Sequence, residues 1–328
     1  MVLQLLASFL ISLAVTAAAG FFLIPALRRA KAGQSIREDG PVWHNSKQGT
    51  PTMGGIMFIA GITAACLTAG FNEMRGGVFS HIFVLLSALA FSAIGFFDDY
   101  EKLRKKQNLG LKAMHKLALQ IVVAAGFVLL MRLSGGMATD LYVPFFNVDV
   151  TIPAPLYYLF AIFVAVGTVN SVNITDGADG LAAGVSIPVA ACYTFVAFMW
   201  GYSALGVFAA ALAGGLAGFL IFNFHPARVF MGDTGSLFLG GAVCAMAFAL
   251  DMPLVFVLLG FVYFVEALSD IIQVSYFKLT KGKRVFKMAP IHHHFEMCGW
   301  NEYKLFAVFS GVSAIFAVIS YLGVYARY

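Results

Sequence analysis

Five clusters of residues able to do chemistry are spread along the chain: His44 to Gly55, Asp98-Asp99, Asn173 to Gly180, Asp233, and His292 to His294. Adjacent carboxylates such as Asp98 and Asp99 repel each other. Near a helix C-terminus they also oppose the macrodipole, at about 0.3 to 1 kcal/mol each. A divalent cation offsets both penalties, and a set of hard oxygen ligands suits Mg²⁺. A solvated acidic pair marking a membrane boundary is the ordinary alternative, and the dipole cost lapses if the helix runs on. Lys102, one turn beyond the pair, is spaced to face the same ligand.

Asn173, Asp176 and Asp179 recur every third residue, which aligns them on one face if the segment coils. A turn with Asp179 as the cap of the next helix explains one of the three. Asp233, inside Phe230 to Ser236, has an equally good reading as a helix cap. His292-His293-His294 is embedded among apolar neighbours and suits contact with phosphate oxygens or orientation of carboxylates. A zinc site with Cys298 is conceivable, but neither the HExxH nor the paired-cysteine spacing is present. Lys47 with Gly49 to Gly55 has the composition of a phosphate-cradling loop without the Walker A spacing. Glu266, Asp270 and Gln273 fall at i, i+4 and i+7 of an apolar run. Acids inside a membrane helix mark function by default, with a polar seam between helices as the alternative.

The elements that position these groups are read from composition. Of 328 residues 60% are hydrophobic and only 11% charged, and mean hydropathy is +0.86. That excludes a water-soluble fold. Ten apolar runs approach the roughly 20 residues that span a bilayer: Val2 to Leu27, Thr52 to Phe71, Val78 to Phe97, Leu117 to Met131, Ile152 to Val169, Leu181 to Trp200, Ala204 to Phe222, Thr234 to Leu250, Met252 to Phe277 and Leu305 to Tyr325. The expectation is an all-α integral membrane protein of about ten transmembrane helices forming a single polytopic domain over residues 1–328. Continuous runs, rather than alternation, exclude a β-barrel. The fourth and eighth runs are short, so Lys116 and Arg132 are expected to snorkel. The charge-free stretch from Gly180 to Ala227 divides at Trp200 to Ser203, and Ser134 to Pro155 reads as a small outward β-hairpin around Asn147.

All but Arg75, Arg132 and Arg327 of the 21 lysines and arginines follow odd-numbered runs. The positive-inside rule then makes those loops cytoplasmic and puts both termini outside. The net charge of +5 becomes one basic cytoplasmic face that attracts anionic headgroups and solutes. No basic n-region precedes the first run, so a cleaved signal peptide is not expected. Cys66, Cys192 and Cys244 lie in apolar runs and Cys298 in a loop, which implies no disulfide framework. All five chemical clusters follow odd-numbered runs, so they share one membrane face and are expected to converge in a single cytoplasmic cleft.

Taken together the motifs resemble the polyprenyl-phosphate N-acetylhexosamine-1-phosphate transferases along essentially the whole chain. The resemblance rests on Lys47 to Gly55, Phe97-Asp98-Asp99, Asn173 to Gly180, Phe230 to Ser236 and Pro290 to Glu296, in the family's order. The histidine triplet resembles the muramoyl-pentapeptide branch; relatives using UDP-N-acetylglucosamine carry a differently spaced histidine motif. The resemblance implies transfer of phospho-N-acetylmuramoyl-pentapeptide from its UDP donor to undecaprenyl phosphate, giving lipid I and UMP, with Mg²⁺. It also implies the bacterial inner membrane, the lipid bilayer as environment, a homodimer, and no nucleic-acid partner. Carried over by motif position, Asp98, Asp99, Asp233 and His292 form the catalytic core, with Asp233, Asp98 and Asp99 as metal ligands. Lys102, Asn173, Asp176 and Phe230 are expected on the nucleotide. Lys47, Thr52, Asp179, His293 and His294 support phosphates or sugar, and Gln273 is a further nucleotide-side candidate. Two mechanisms compete: direct attack of the lipid phosphate, or a covalent phospho-sugar carboxylate intermediate. A phosphate monoester has its second pKa near 6, roughly, so the nucleophile is already largely dianionic and direct attack is favoured, with Asp98 positioning it. The other readings are the UDP-N-acetylglucosamine branch, a cation-coupled transporter or channel, whose binding acids belong near the midplane, and a scaffold, which gives no reason for acids and histidines to share a face.

Overall fold

Apolar stretches without polar side chains satisfy their main-chain groups only within themselves, so the runs fold as helices. The computed structural model describes residues 1–30, 49–105 and 110–327. In chain order the elements are α1 (Val2–Arg29), α2 (Gly55–Thr68), α3 (Phe71–Arg75), α4 (Ser80–Lys105), α5 (Ala113–Leu133), β1 (Asp140–Val143), β2 (Val148–Thr151), α6 (Ala154–Thr175), α7 (Leu181–Met199), α8 (Ser203–Asn223), α9 (Gly232–Ala249), α10 (Val255–Leu259), α11 (Phe261–Leu279), α12 (Ile291–Glu296) and α13 (Glu302–Val324). Eight of these helices, α1, α4 to α9 and α13, are long and apolar enough to cross a membrane, and the chain is a multi-pass membrane protein.

Each expected run falls on a helix, with corrections at the ends. α2 has only 14 residues. The fourth run is not short: α5 reaches back to Ala113 and has 21 residues, because Met114, His115 and Lys116 join the helix although they are not an apolar run. The ninth run is not continuous: it breaks at Gly260 into α10 and α11. α4 does not stop at Asp98-Asp99 but continues to Lys105, which removes the dipole penalty at the pair. The division at Trp200 to Ser203 is observed between α7 and α8.

α8 and α9 are the innermost helices, each buried over most of its length, whereas α1, α5 and α13 lie at the rim. The interior is rich in Ala, Gly and Ser, which lets helix backbones approach, while Phe22, Leu133 and Phe163 point outward as a lipid-facing surface should. Side chains tie helix to helix: Ser8 Oγ donates to Val207 O (2.7 Å), Ser313 Oγ to Val185 O (2.7 Å) and Tyr193 OH to Val243 O (2.8 Å).

The hairpin β1–β2 is antiparallel, pairing Asp140 with Thr151 and Val143 with Val148. It clamps the last turn of α13: Tyr142 OH and the Phe145 main-chain N–H both donate to Gly323 O. Arg327 completes this end by donating to Asp251 O and Oδ2, each at 2.5 Å, above the Tyr142 ring. Gln4 at the start of α1 donates to Ala69 O and Glu73 Oε1 beyond α2. Gln4 and Arg327 therefore sit at the end of the bundle opposite Asp98, Asn173 and Asp233.

Candidate active site

α4 and α9 run side by side, and Gly95 makes their contact possible: a Cβ there would stand 2.0 Å from Asp233 O. One turn further along α4, the Asp99 carboxylate meets the start of α9. No local side chain caps that helix. Asp99 does so from outside, its Oδ1 accepting from Asp233 N (3.2 Å) and its Oδ2 from Thr234 N (2.8 Å) and Thr234 Oγ1 (2.7 Å). Free N–H groups and the positive end of the dipole make this a favourable seat for a buried anion. The reading of Asp233 as the cap is thereby corrected. Gly232 opens the turn with φ +69°, and a Cβ on it would lie 2.6 Å from both Asp99 Oδ2 and Thr52 Oγ1, so both the backbone and the space require glycine.

Asp233 is free to face the other way. Its Oδ2 accepts from Lys102 Nζ (3.0 Å) and Lys116 Nζ (2.7 Å), and its Oδ1 from Asn173 Nδ2 (3.0 Å). Asn173 also donates to Ser236 Oγ at 2.7 Å. Lys102 Nζ lies 2.6 Å from Asp98 Oδ2 and 3.9 Å from Asp99 Oδ1, so one ammonium stands at the focus of three carboxylates. Asp98 Oδ1 accepts from Leu111 N at 2.8 Å. Asp98 and Asp99 are only 3% and 2% exposed. One oxygen from each of Asp98, Asp99 and Asp233 lies within 4.8 Å of the others, a spacing and an all-oxygen donor set that a hard divalent cation fits.

Thr52 and Phe230 join this group through the backbone. Phe230 N donates to Pro51 O (2.8 Å), Gly54 N to Phe230 O (2.8 Å) and Gly55 N to Met231 O (3.0 Å), so the segment before α2 is zipped to the segment before α9. Lys47 lies outside the described residues. Lys116 does not snorkel as expected but reaches into the site; polarity alone could not separate the two. One turn behind it, Gln120 and Asn170 exchange amide hydrogen bonds (2.8 and 3.3 Å) between α5 and α6.

The remaining expected residues fall into adjoining groups. Asp179 is not the side-chain cap of α7; the left-handed Gly180 (φ 72°) holds that position. Asp179 Oδ2 accepts from Ala227 N (3.0 Å) and meets His225 Nδ1 (2.8 Å), with Glu302 Oε2 3.5 Å from the same nitrogen. Asp176 follows α6 directly, its N–H on Asn173 O. His292 sits beneath Gly177, where a Cβ would lie 2.2 Å from Nε2. Its Nδ1 lies 2.9 Å from Glu266 Oε2, and the pair is 1% and 0% exposed. Glu266 is a partner that sequence reasoning placed on the α11 face but did not assign. His293 Nδ1 pairs with Glu296 Oε2 (2.6 Å), and His294 Nδ1 accepts from Lys287 N (3.1 Å) with Cys298 Sγ 3.8 Å from its Nε2. Gln273 Oε1 accepts from Val285 N and Phe286 N (3.1 and 2.9 Å) and so pins the basic segment after α11.

The chain is similar to known proteins along its length. Residues 81–251 match the model of glycosyl transferase family 4, and residues 47–59 match phospho-N-acetylmuramoyl-pentapeptide-transferase signature 1. Proteins named phospho-N-acetylmuramoyl-pentapeptide-transferase are 46% identical in Clostridium acetobutylicum, over 96% of this chain and 97% of the relative, and 46% identical in Caldanaerobacter subterraneus subsp. tengcongensis, over 98% and 99%. The Staphylococcus carnosus protein of that name is 44% identical over 92% of this chain and 94% of its own.

Proposed function

The chain belongs to glycosyl transferase family 4 and, within it, to the phospho-N-acetylmuramoyl-pentapeptide transferases of peptidoglycan synthesis, and from this premise we propose how its residues carry out the transfer. The observation that carries the reading is the Lys102 ammonium held among Asp98, Asp99 and Asp233 at one end of a membrane bundle. Phosphoryl transfer is chiefly alignment and charge neutralisation, and this is a charged, largely enclosed place for both. The donor is UDP-N-acetylmuramoyl-pentapeptide and the acceptor undecaprenyl phosphate.

A Mg²⁺ ion fits the three carboxylates by donor type and spacing. Asp98, Asp99 and Asp233 would hold it, and when bound it supplies positive charge to the diphosphate. Lys102 and Lys116 neutralise phosphate oxygens. Asp98 orients the acceptor: an oxygen of the lipid phosphate bonds to the β-phosphorus of the donor, the bond from that phosphorus to the bridging oxygen breaks, and UMP leaves. The lipid phosphate, a monoester with its second pKa at about 6, is already largely dianionic and needs no covalent relay, which supports direct attack over a carboxylate nucleophile. Asn173, Asp176, Phe230 and Gln273 contact the nucleotide side, while Lys47, Thr52, Asp179, His293 and His294 support phosphates and sugar. His292 acts from beneath the Gly177 turn with Glu266 behind it. The site faces the cytoplasm across the bacterial inner membrane, and the protein works as a homodimer.

The test offers purified protein UDP-N-acetylmuramoyl-pentapeptide or UDP-N-acetylglucosamine, with and without undecaprenyl phosphate. Lipid-dependent UMP release from the muramoyl donor alone is expected. Equal turnover of the two donors would move the protein to the sister branch, and a labelled phospho-sugar trapped on the protein without lipid would overturn direct attack.

A further inference from the structure

Three polar residues share one face of α11, and two of them are committed to the protein. Glu266 meets His292, and Gln273 holds the main chain at Val285 and Phe286. Between them Asp270 has no hydrogen bond or ion pair among the described residues. It lines a cleft of about 380 Å³ together with Lys278, Arg284, Val274, Phe277 and Met288. Asp270 is half-buried, so a ligand that covers the cleft takes its carboxylate out of water and offsets that cost by bringing a cation. Two basic side chains share the cleft, yet neither closes on the carboxylate. The recess therefore offers an anion, two cations and an apolar floor at once.

Its position narrows the ligand. Ala289, three residues before His292, also lines the cleft, and Asp270 lies one turn, about 6 Å of helix rise, from Glu266. The cleft thus adjoins the group beneath Gly177. Gln273, assigned above to the nucleotide side, borders the same cleft, and the contacts assigned above give the peptide of the donor no binding surface of its own. A polyprenyl chain has no cation for Asp270, and its phosphate would meet a negative charge in the same recess.

We propose that this cleft receives the peptide arm of the donor, with Asp270 accepting from a side-chain ammonium of the peptide and Lys278 and Arg284 taking one of its carboxylates. The proposal rests on the reading that the donor is a UDP-linked muramoyl peptide.

The experiment uses the full chain in detergent with polyprenyl phosphate and two donors: one with a free side-chain amine on its peptide, the other acetylated at that amine. With the free-amine donor, Asp270→Asn is expected to raise KM about tenfold and change kcat little, as the loss of one charge-assisted contact should. Acetylation is expected to raise the KM of the unaltered protein by a similar factor, and the two changes together to do no more than either alone. A KM that rises equally for both donors, or for neither, overturns the proposal. So does a change in KM for polyprenyl phosphate alone, which gives the cleft to the acceptor. Unaltered protein that turns over neither donor sinks the transferase reading itself, and the proposal with it.

Discussion

Lys116 and Lys102 share a single oxygen of Asp233, so two ammonium groups compete with any metal for that ligand. Replacing Lys116 by Met should therefore lower the Mg²⁺ concentration giving half-maximal activity by about tenfold, since like charges at contact distance are worth of order 1 kcal/mol or more. The same change should reduce kcat, because a cation on the phosphates is lost. A magnesium titration of both proteins checks the sign, and a shift to higher magnesium would contradict it. Glu266 and His292 form one unit by their 2.9 Å contact. Glu266→Ala should cost on the order of 10²-fold in kcat, the scale of one positioned acid or base group, and the double variant should be no slower than His292→Ala alone. Additive losses in that cycle would separate the two residues. Asp98, Asp99, Asn173 and Asp233 were legible in the sequence because their types are rare in apolar chains. Glu266 and Lys116 were not legible as partners, because a contact across 26 or 117 positions leaves no local pattern.

Most helices could be read from hydropathy, and their ends could not. α4 carries Asp98 and Asp99 within a helix that persists to Lys105, where its i,i+4 pairs of Asp98 with Lys102 and Glu101 with Lys105 satisfy charges that hydropathy counts as the end of a run. The break at Gly260 was hidden because apolar residues flank it on both sides. The contact between α4 and α9 depends on the absence of one carbon. Gly95→Ala should force the two helices apart, destabilise the protein by about 2–3 kcal/mol and shift Asp98 away from Asp233. Thermal unfolding in detergent and UMP release should both fall; full activity at wild-type stability would show that the helices can slide freely. Gly126, where an added Cβ would meet nothing within 4 Å, is the control at which the same replacement should be neutral.

Among the described residues most lysines and arginines, Lys102, Arg104, Lys105, Lys112 and Lys116 among them, lie at the end that holds the carboxylate cluster, whereas Arg75, Arg132 and Arg327 lie at the other. A dianionic donor should therefore bind more weakly as salt rises, and kcat/KM should fall several-fold between about 0.05 and 0.5 M salt as screening shortens to a few ångströms; a flat profile would argue against electrostatic capture. Sidedness has a native reporter. Cys66, Cys192 and Cys244 are buried and Cys298 is exposed near His294, so a membrane-impermeant thiol reagent should label inverted vesicles and spare intact cells. The opposite labelling would turn the protein over in the bilayer. The innermost helix has one further property. The side chain that seats the head of α9 is the same Asp99 proposed above as a metal ligand, so on that reading architecture and chemistry draw on a single carboxylate and cannot be altered one at a time. An inert Asp99→Asn protein would speak about a dislodged helix as much as about a missing anion, whereas Asp98, which accepts from Leu111 N–H and Lys102 and seats no helix end, is the cleaner place to interrogate the reaction.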